Sequence, residues 1–248
     1  MHVFLIQCAL ENRRGNLNPR FLRVFLAEGI YLAQIKKLKS THPPKASQQS
    51  LLHKMNIFAL NLDPKEAAKA HGDKHVVKMI LETCQMLYTA HWTATYPDLL
   101  KNRSPAKVAA AHKLLSIPSH MESAPKRKCA DEQGFRPVHL HHPCTVWVRE
   151  SIANYMWAVD LALSIAEEYE FRWPGRTHSC KAHALWLQIN VPPIPDSPRT
   201  PFALAMPDEY KVPDPVASYI NFYTGSKKDR GLTKYTRREP PAFLSLAI

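Results

Sequence analysis

Glycine is scarce in this chain, with seven in 248 residues. Neither G-x-G-x-x-G nor G-x-x-x-x-G-K-[ST] occurs, and both loops need glycine so that backbone N–H groups can close on a phosphate. A dinucleotide-binding fold or a P-loop is therefore excluded. No G-x-S-x-G is present, which sets aside the serine-hydrolase elbow. The five cysteines are odd in number and contain no C-x-x-C pair, so no disulfide framework or zinc ribbon is indicated and a reducing, cytoplasmic setting is expected. Long apolar runs are missing too. Glu28 interrupts the best of them, Phe25 to Ile35, well short of the roughly 18 residues a membrane span requires, so no membrane partner is expected.

Acids are under-represented: 21 against 33 Lys and Arg, a net +12. That balance favours a polyanionic partner, and DNA is the partner expected. The excess is concentrated at the front, where residues 1 to 54 hold nine basic residues and two acids. This basic leader reads as a targeting peptide, a peripheral helix, or translated sequence ahead of a start at Met55, the last being favoured because it lacks a secretory layout. Residues 55 to 248 are expected to form a single helical domain, with 45% hydrophobic content across the chain supplying its core.

Within that domain NIFALNL reads as a short strand. Asp63 and Pro64 then cap a short helix, and Gly72-Asp73 breaks it. From His71 to His91 the apolar residues Val77, Ile80, Leu81, Cys84, Leu87 and Tyr88 recur at helical spacing. Residues 143 to 172 read as one long central helix, whose polar residues Arg149, Glu150, Ser151 and Asn154 need buried partners and are expected to face the His71 region. Eight prolines between Pro192 and Pro215 predict an extended segment wrapping the helices. The fold class expected is therefore mainly α, one compact helical domain with at most a short strand or two.

The chemistry concentrates on one row. His71, His75, Lys78, Glu82, Gln85 and Thr89 fall within an arc of roughly 80° at 100° per residue. Read blandly, this is a solvated face with a Lys78–Glu82 pair. Read functionally, Asp73, His75, Lys78 and Glu82, with Arg149 and Glu150, form an acid/base pocket in which neighbours shift pKa values. Such a pocket can cleave an N-glycosidic bond, with a carboxylate steadying the sugar cation or Lys78 attacking as an amine. His71 and His75 have metal spacing but lack the glutamate of H-E-x-x-H, so neither a metal nor a cofactor is expected. Candidate nucleic-acid contacts are His71, His142 and Asn154, the loop run Lys126, Arg127 and Lys128, and Lys234 and Arg237 in the tail. Trp147, like Trp157, reads as a core residue or as a stacking platform for a base.

The blocks MNIFALNLDPKEAA, DKHVVKMILET, HPCTVWVRES, TPFALAMPDEYK and DPVASYINFY resemble an uncharacterised family found in bacteriophages and large DNA viruses. The resemblance spans Met55 to about Pro240 and implies a setting in viral DNA metabolism or defence, and it agrees with a start at Met55. Relatives read H-C-D-K-H where this chain has His71-Gly72-Asp73, so a cysteine there is dispensable. The function expected is a DNA glycosylase acting on a modified base in viral DNA. A metal-dependent nuclease, a base-modifying transferase and a non-catalytic nucleic-acid-binding protein are the alternatives. Nothing marks an obligate protein partner.

Overall fold

The computed structural model describes residues 56–101, 104–127 and 131–245. The basic leader and Lys128 lie outside them. All described residues belong to one unit, 51–248, and its architecture is mainly helical as expected. In chain order the helices are α1 (Pro64–Ala70), α2 (Asp73–Thr95), α3 (Pro105–Lys113), α4 (Pro143–Val148), α5 (Ile152–Arg172), α6 (Lys181–Ile189), α7 (Pro215–Phe222) and α8 (Ala242–Ser245). Strand pairing among the described residues amounts to one isolated antiparallel bridge, Lys126 to Gln133.

Aspartate and proline set several helix starts. Asp63 accepts from the Lys65 N–H at 2.7 Å and Asp214 from those of Val216 and Ala217, with proline in the first turn both times. Each arrangement satisfies donors that a helix leaves open and fixes the first φ. The two long helices then pair. Asp73 at the start of α2 meets Arg172 at the end of α5, and His91 late in α2 meets Tyr155 early in α5, so they run antiparallel. Their shared seam, including Ile80, Leu87, Tyr88, Leu161 and Ile165, is fully buried.

The structure departs from the sequence reading in three places. Residues 143 to 172 are two helices, because Ser151 leaves the helical conformation (φ −154°, ψ 156°) and its hydroxyl accepts the Asn154 N–H at 3.0 Å. The Asn154 amide then caps the Trp147 carbonyl at 2.7 Å and exchanges hydrogen bonds with Thr200. The break is therefore filled by side chains that also fix the proline-rich segment. NIFALNL is not a strand. It threads the core without a ladder, held where Asn56 donates to the Ala205 carbonyl (2.8 Å) and Trp157 to that of Leu62 (2.7 Å). The basic tail, finally, is a clamp: Asp73 N–H donates to the Lys234 carbonyl at 2.8 Å and the Tyr235 hydroxyl to that of Ala70 at 2.7 Å. Gly72 permits this approach, since a Cβ there would sit 2.2 Å from the Leu232 carbonyl oxygen.

The proline-rich segment wraps as predicted. Phe202, Ala205 and Met206 are buried within it, and its Pro195 carbonyl takes the Ile152 N–H.

Candidate active site

His75, Lys78 and Glu82 keep to one face of α2, as three- and four-residue steps require. Glu82 is 6% exposed. Its Oε1 pairs with Lys78 Nζ at 2.6 Å and its Oε2 accepts the Asn56 N–H at 3.3 Å. Burial lifts the Glu82 pKa above the usual carboxylate value, opposed but not overcome by Lys78 and Asn56. His75 is buried beside Tyr223. The Gly72 N–H donates to the Tyr223 hydroxyl (2.7 Å), and the same hydroxyl shares a hydrogen bond with His75 Nδ1 (2.5 Å). Burial first, then the charges of His71, Lys227, Lys78 and Arg230, pull His75 down to about 2. It is a neutral N–H donor at neutral pH.

A residue that sequence reasoning missed completes the cluster. After α7 the chain makes a single π turn, Tyr223–Lys227, a widened geometry often found at functional sites. This turn places Tyr223 against His75 and leaves Lys227 only 5% exposed. The Lys227 ammonium lies 4.3 Å from the centre of the Phe222 ring and 5.2 Å from that of Phe58. Phe58 in turn packs against His75 with ring centres 4.8 Å apart and planes tilted by 42°, so one ring separates amine from imidazole. Burial, then Arg230 and Lys78, lower the Lys227 pKa to about 8 against the opposing charge of Glu82. Nothing in the segment GSKKDR distinguishes Lys227 from Lys228; the π turn decides which is buried.

Other members of the predicted row are placed elsewhere. His71 caps α1 rather than joining α2. It is fully buried with Nδ1–H donated to the Ala67 carbonyl at 2.6 Å, and its Nε2 lone pair has no partner among the described residues. Asp73 is part of an ion network: Oδ1 accepts from Arg172 (3.0 Å) and the Thr236 N–H (2.9 Å), Oδ2 from the Thr236 hydroxyl (2.8 Å). Burial opposes its charge, yet the bonds from Thr236 and Arg172 outweigh that and leave its pKa below the ordinary value. Arg149 and Glu150 do not reach the row. They stand at the α4–α5 break, where Arg149 donates to the Leu140 carbonyl and Glu150 accepts from Thr200, and α5 separates them from Asp73 by roughly 30 Å. Lys78, proposed as an amine nucleophile, has a 55% exposed side chain tied to Glu82.

The nucleic-acid candidates divide similarly. Lys126 and Arg127 pair locally with Asp131 and Glu132. His142 caps α4 by accepting the Cys144 N–H at 3.2 Å, and Asn154 holds the α4–α5 break. Trp147 is core, buried against Trp157 and Phe202. Lys234 and Arg237 remain exposed on the tail. Arg237 lines the edge of a cleft of about 770 Å³ that also includes Glu66, Lys69, Asp214 and Phe243. That cleft does not include His75, Glu82 or Lys227. Among the described residues no three of His, Cys, Asp or Glu are grouped to hold a metal ion. No family model matches the chain, and neither a curated protein nor a solved structure matches it.

Proposed function

We propose that the chain is a DNA-processing enzyme, a glycosylase that hydrolyses the N-glycosidic bond of a modified base in viral DNA. The reading is carried by Glu82, a buried carboxylate with a raised pKa that shares its helix face with the neutral imidazole of His75 and feels the charge of the buried Lys227 amine. That combination supplies the two demands of base excision. A carboxylate steadies the cationic sugar and orients water, while the ring N–H of neutral His75 is a donor for charge developing on the departing base. Residues 55 to 248 hold 24 basic residues and 19 acids, a mild excess in the direction a polyanionic substrate needs, and the resemblance to phage and viral sequences supplies the viral setting. Lys234 and Arg237 are the exposed bases assigned to the DNA backbone.

The test is Glu82→Gln, which keeps the side chain's shape and removes its charge. Base release should fall by about 10²-fold or more while the helical circular dichroism is retained. Undiminished release by the variant would remove Glu82, and with it this reading of the site.

A further inference from the structure

We propose that Lys227 is an amine nucleophile that forms a Schiff base with C1′ of a deoxyribose whose base has been removed, giving the site a strand-cleaving lyase activity. The substrate class rests on the glycosylase reading; the reactive atom does not.

The geometry is that of a lysine built to react. Long amines are rarely buried without a carboxylate beside them, yet Lys227 is 5% exposed with its ammonium on the faces of Phe222 and Phe58. Glu82, the acid whose charge bears on it, gives its close contact to Lys78 instead. Phenyl faces stabilise an ammonium but cannot take its proton, and two like charges, Arg230 and Lys78, oppose it. Lowered basicity follows from that arrangement and leaves about a tenth of the amine unprotonated at pH 7, far more than an ordinary lysine has. The charges that bear on it are those of Lys78 and Glu82 from α2 and of Arg230 from its own segment. The backbone is shaped for the purpose as well. Gly225 lets the π turn close against Tyr210, where a Cβ would meet the ring at 2.8 Å, and that turn puts Lys227 inside.

The chemistry balances without an oxidant or a metal. The Lys227 nitrogen lone pair adds to the C1′ aldehyde carbon, and water leaves to give the iminium. A C2′ proton then passes to the Glu82 carboxylate, and the freed electron pair forms the C2′–C3′ double bond as the C3′–O bond breaks. The departing strand carries its phosphate away. Water hydrolyses the imine and returns the amine.

The test incubates the full chain with an oligonucleotide containing one abasic site and sodium cyanoborohydride, which adds hydride to C1′ of the iminium and freezes the adduct. A covalent protein–DNA product is expected, and peptide mass mapping should place it on Lys227. Lys227→Arg, which keeps the charge, should reduce the product at least tenfold; if that variant does not fold, the mapping of the native chain decides alone. An adduct on another amine, or no adduct, overturns the proposal. Base release from modified DNA without an adduct would overturn it while leaving the glycosylase reading in place. An adduct at Lys227 with no base released from any DNA would do the reverse.

Discussion

Asp73 is the residue where sequence and structure assign opposite roles, and its replacement separates them. In the structure its carboxylate accepts three hydrogen bonds, one from Arg172 and two from Thr236. Arg172 has no exposed side-chain surface and also donates to Glu168 and to the Lys69 carbonyl. Glu168 takes Arg238 as well, so two acids balance two guanidinium groups. Asp73→Ala leaves Arg172 one acceptor short in a buried site and releases the tail at Thr236. Removing one partner from a buried pair costs about 3–5 kcal/mol. Asp73 retains slight exposure, so the low end applies, and about 3 kcal/mol lowers the melting temperature by roughly 6–12 °C for a domain of this size. Asp73→Asn keeps an acceptor and should lose about half as much. Because the folded-state pKa of Asp73 is depressed, its contribution is full above the unfolded carboxyl value near 4. It is lost as pH falls through the folded value. Thermal melts at pH 7 and at progressively lower pH, with limited proteolysis of the tail, read all of this. Melting within a degree of the native chain, combined with loss of base release, would refute the structural role and return Asp73 to the catalytic set.

Burial holds His71 at about 4, His75 at about 2, His91 at about 3 and His183 at about 4. Depressed folded values mean that stability is present above the unfolded value near 6.5 and lost below it. At about 1.4 kcal/mol per pH unit per proton, the loss should approach about 5 kcal/mol per unit near pH 5, and a urea midpoint unchanged between pH 7 and 5 would contradict it. Glu82 has the opposite sign. Its raised pKa makes the charged form a cost to folding at neutral pH, so Glu82→Gln should be at least as stable as the native chain by urea titration. A clearly destabilised variant would count against this. Tyr223→Phe removes the hydrogen-bond partner of His75 Nδ1 and the acceptor for the Gly72 N–H, a cost of roughly 1–3 kcal/mol visible as a lower urea midpoint. Gly72→Ala must displace the tail backbone at Leu232. About 1–3 kcal/mol of destabilisation and faster proteolysis of the tail are expected; a native-like melting curve would show the tail to be unattached.

The helical class was legible in the sequence because it depends on local signals: the apolar stripe of α2, and the capping Asp-Pro pairs at residues 63–64 and 214–215. Those signals are carried by neighbours in the chain. The α4–α5 break was not legible, since Ser151 and Asn154 interrupt the helix with the help of Thr200, more than forty residues away. The same limit explains the site. His75, Lys78 and Glu82 were found because helical spacing places them together, whereas His71 shares their arc in projection but falls outside the face once the joint bends, and Asp73, on the opposite side of the helix, meets Arg172. Lys227 comes from a distant segment with no periodic pattern to mark it. It becomes visible only when the π turn, Phe58 and α2 are brought together. Trp147 shows a different limit: the sequence admits a core residue or a stacking platform for a base, and packing against Trp157 and Phe202 makes it core.

The most direct test of the central claim is to incubate the purified chain, with and without EDTA, with unmodified DNA and with phage DNA carrying modified bases. Mass spectrometry would detect released base and an aldehyde-reactive probe would count abasic sites. The account predicts free base from the modified DNA, undiminished by EDTA and lost in Glu82→Gln. Intact DNA under every condition would contradict it and favour a binding protein, and strand cleavage abolished by EDTA would contradict it in favour of a metal-dependent nuclease.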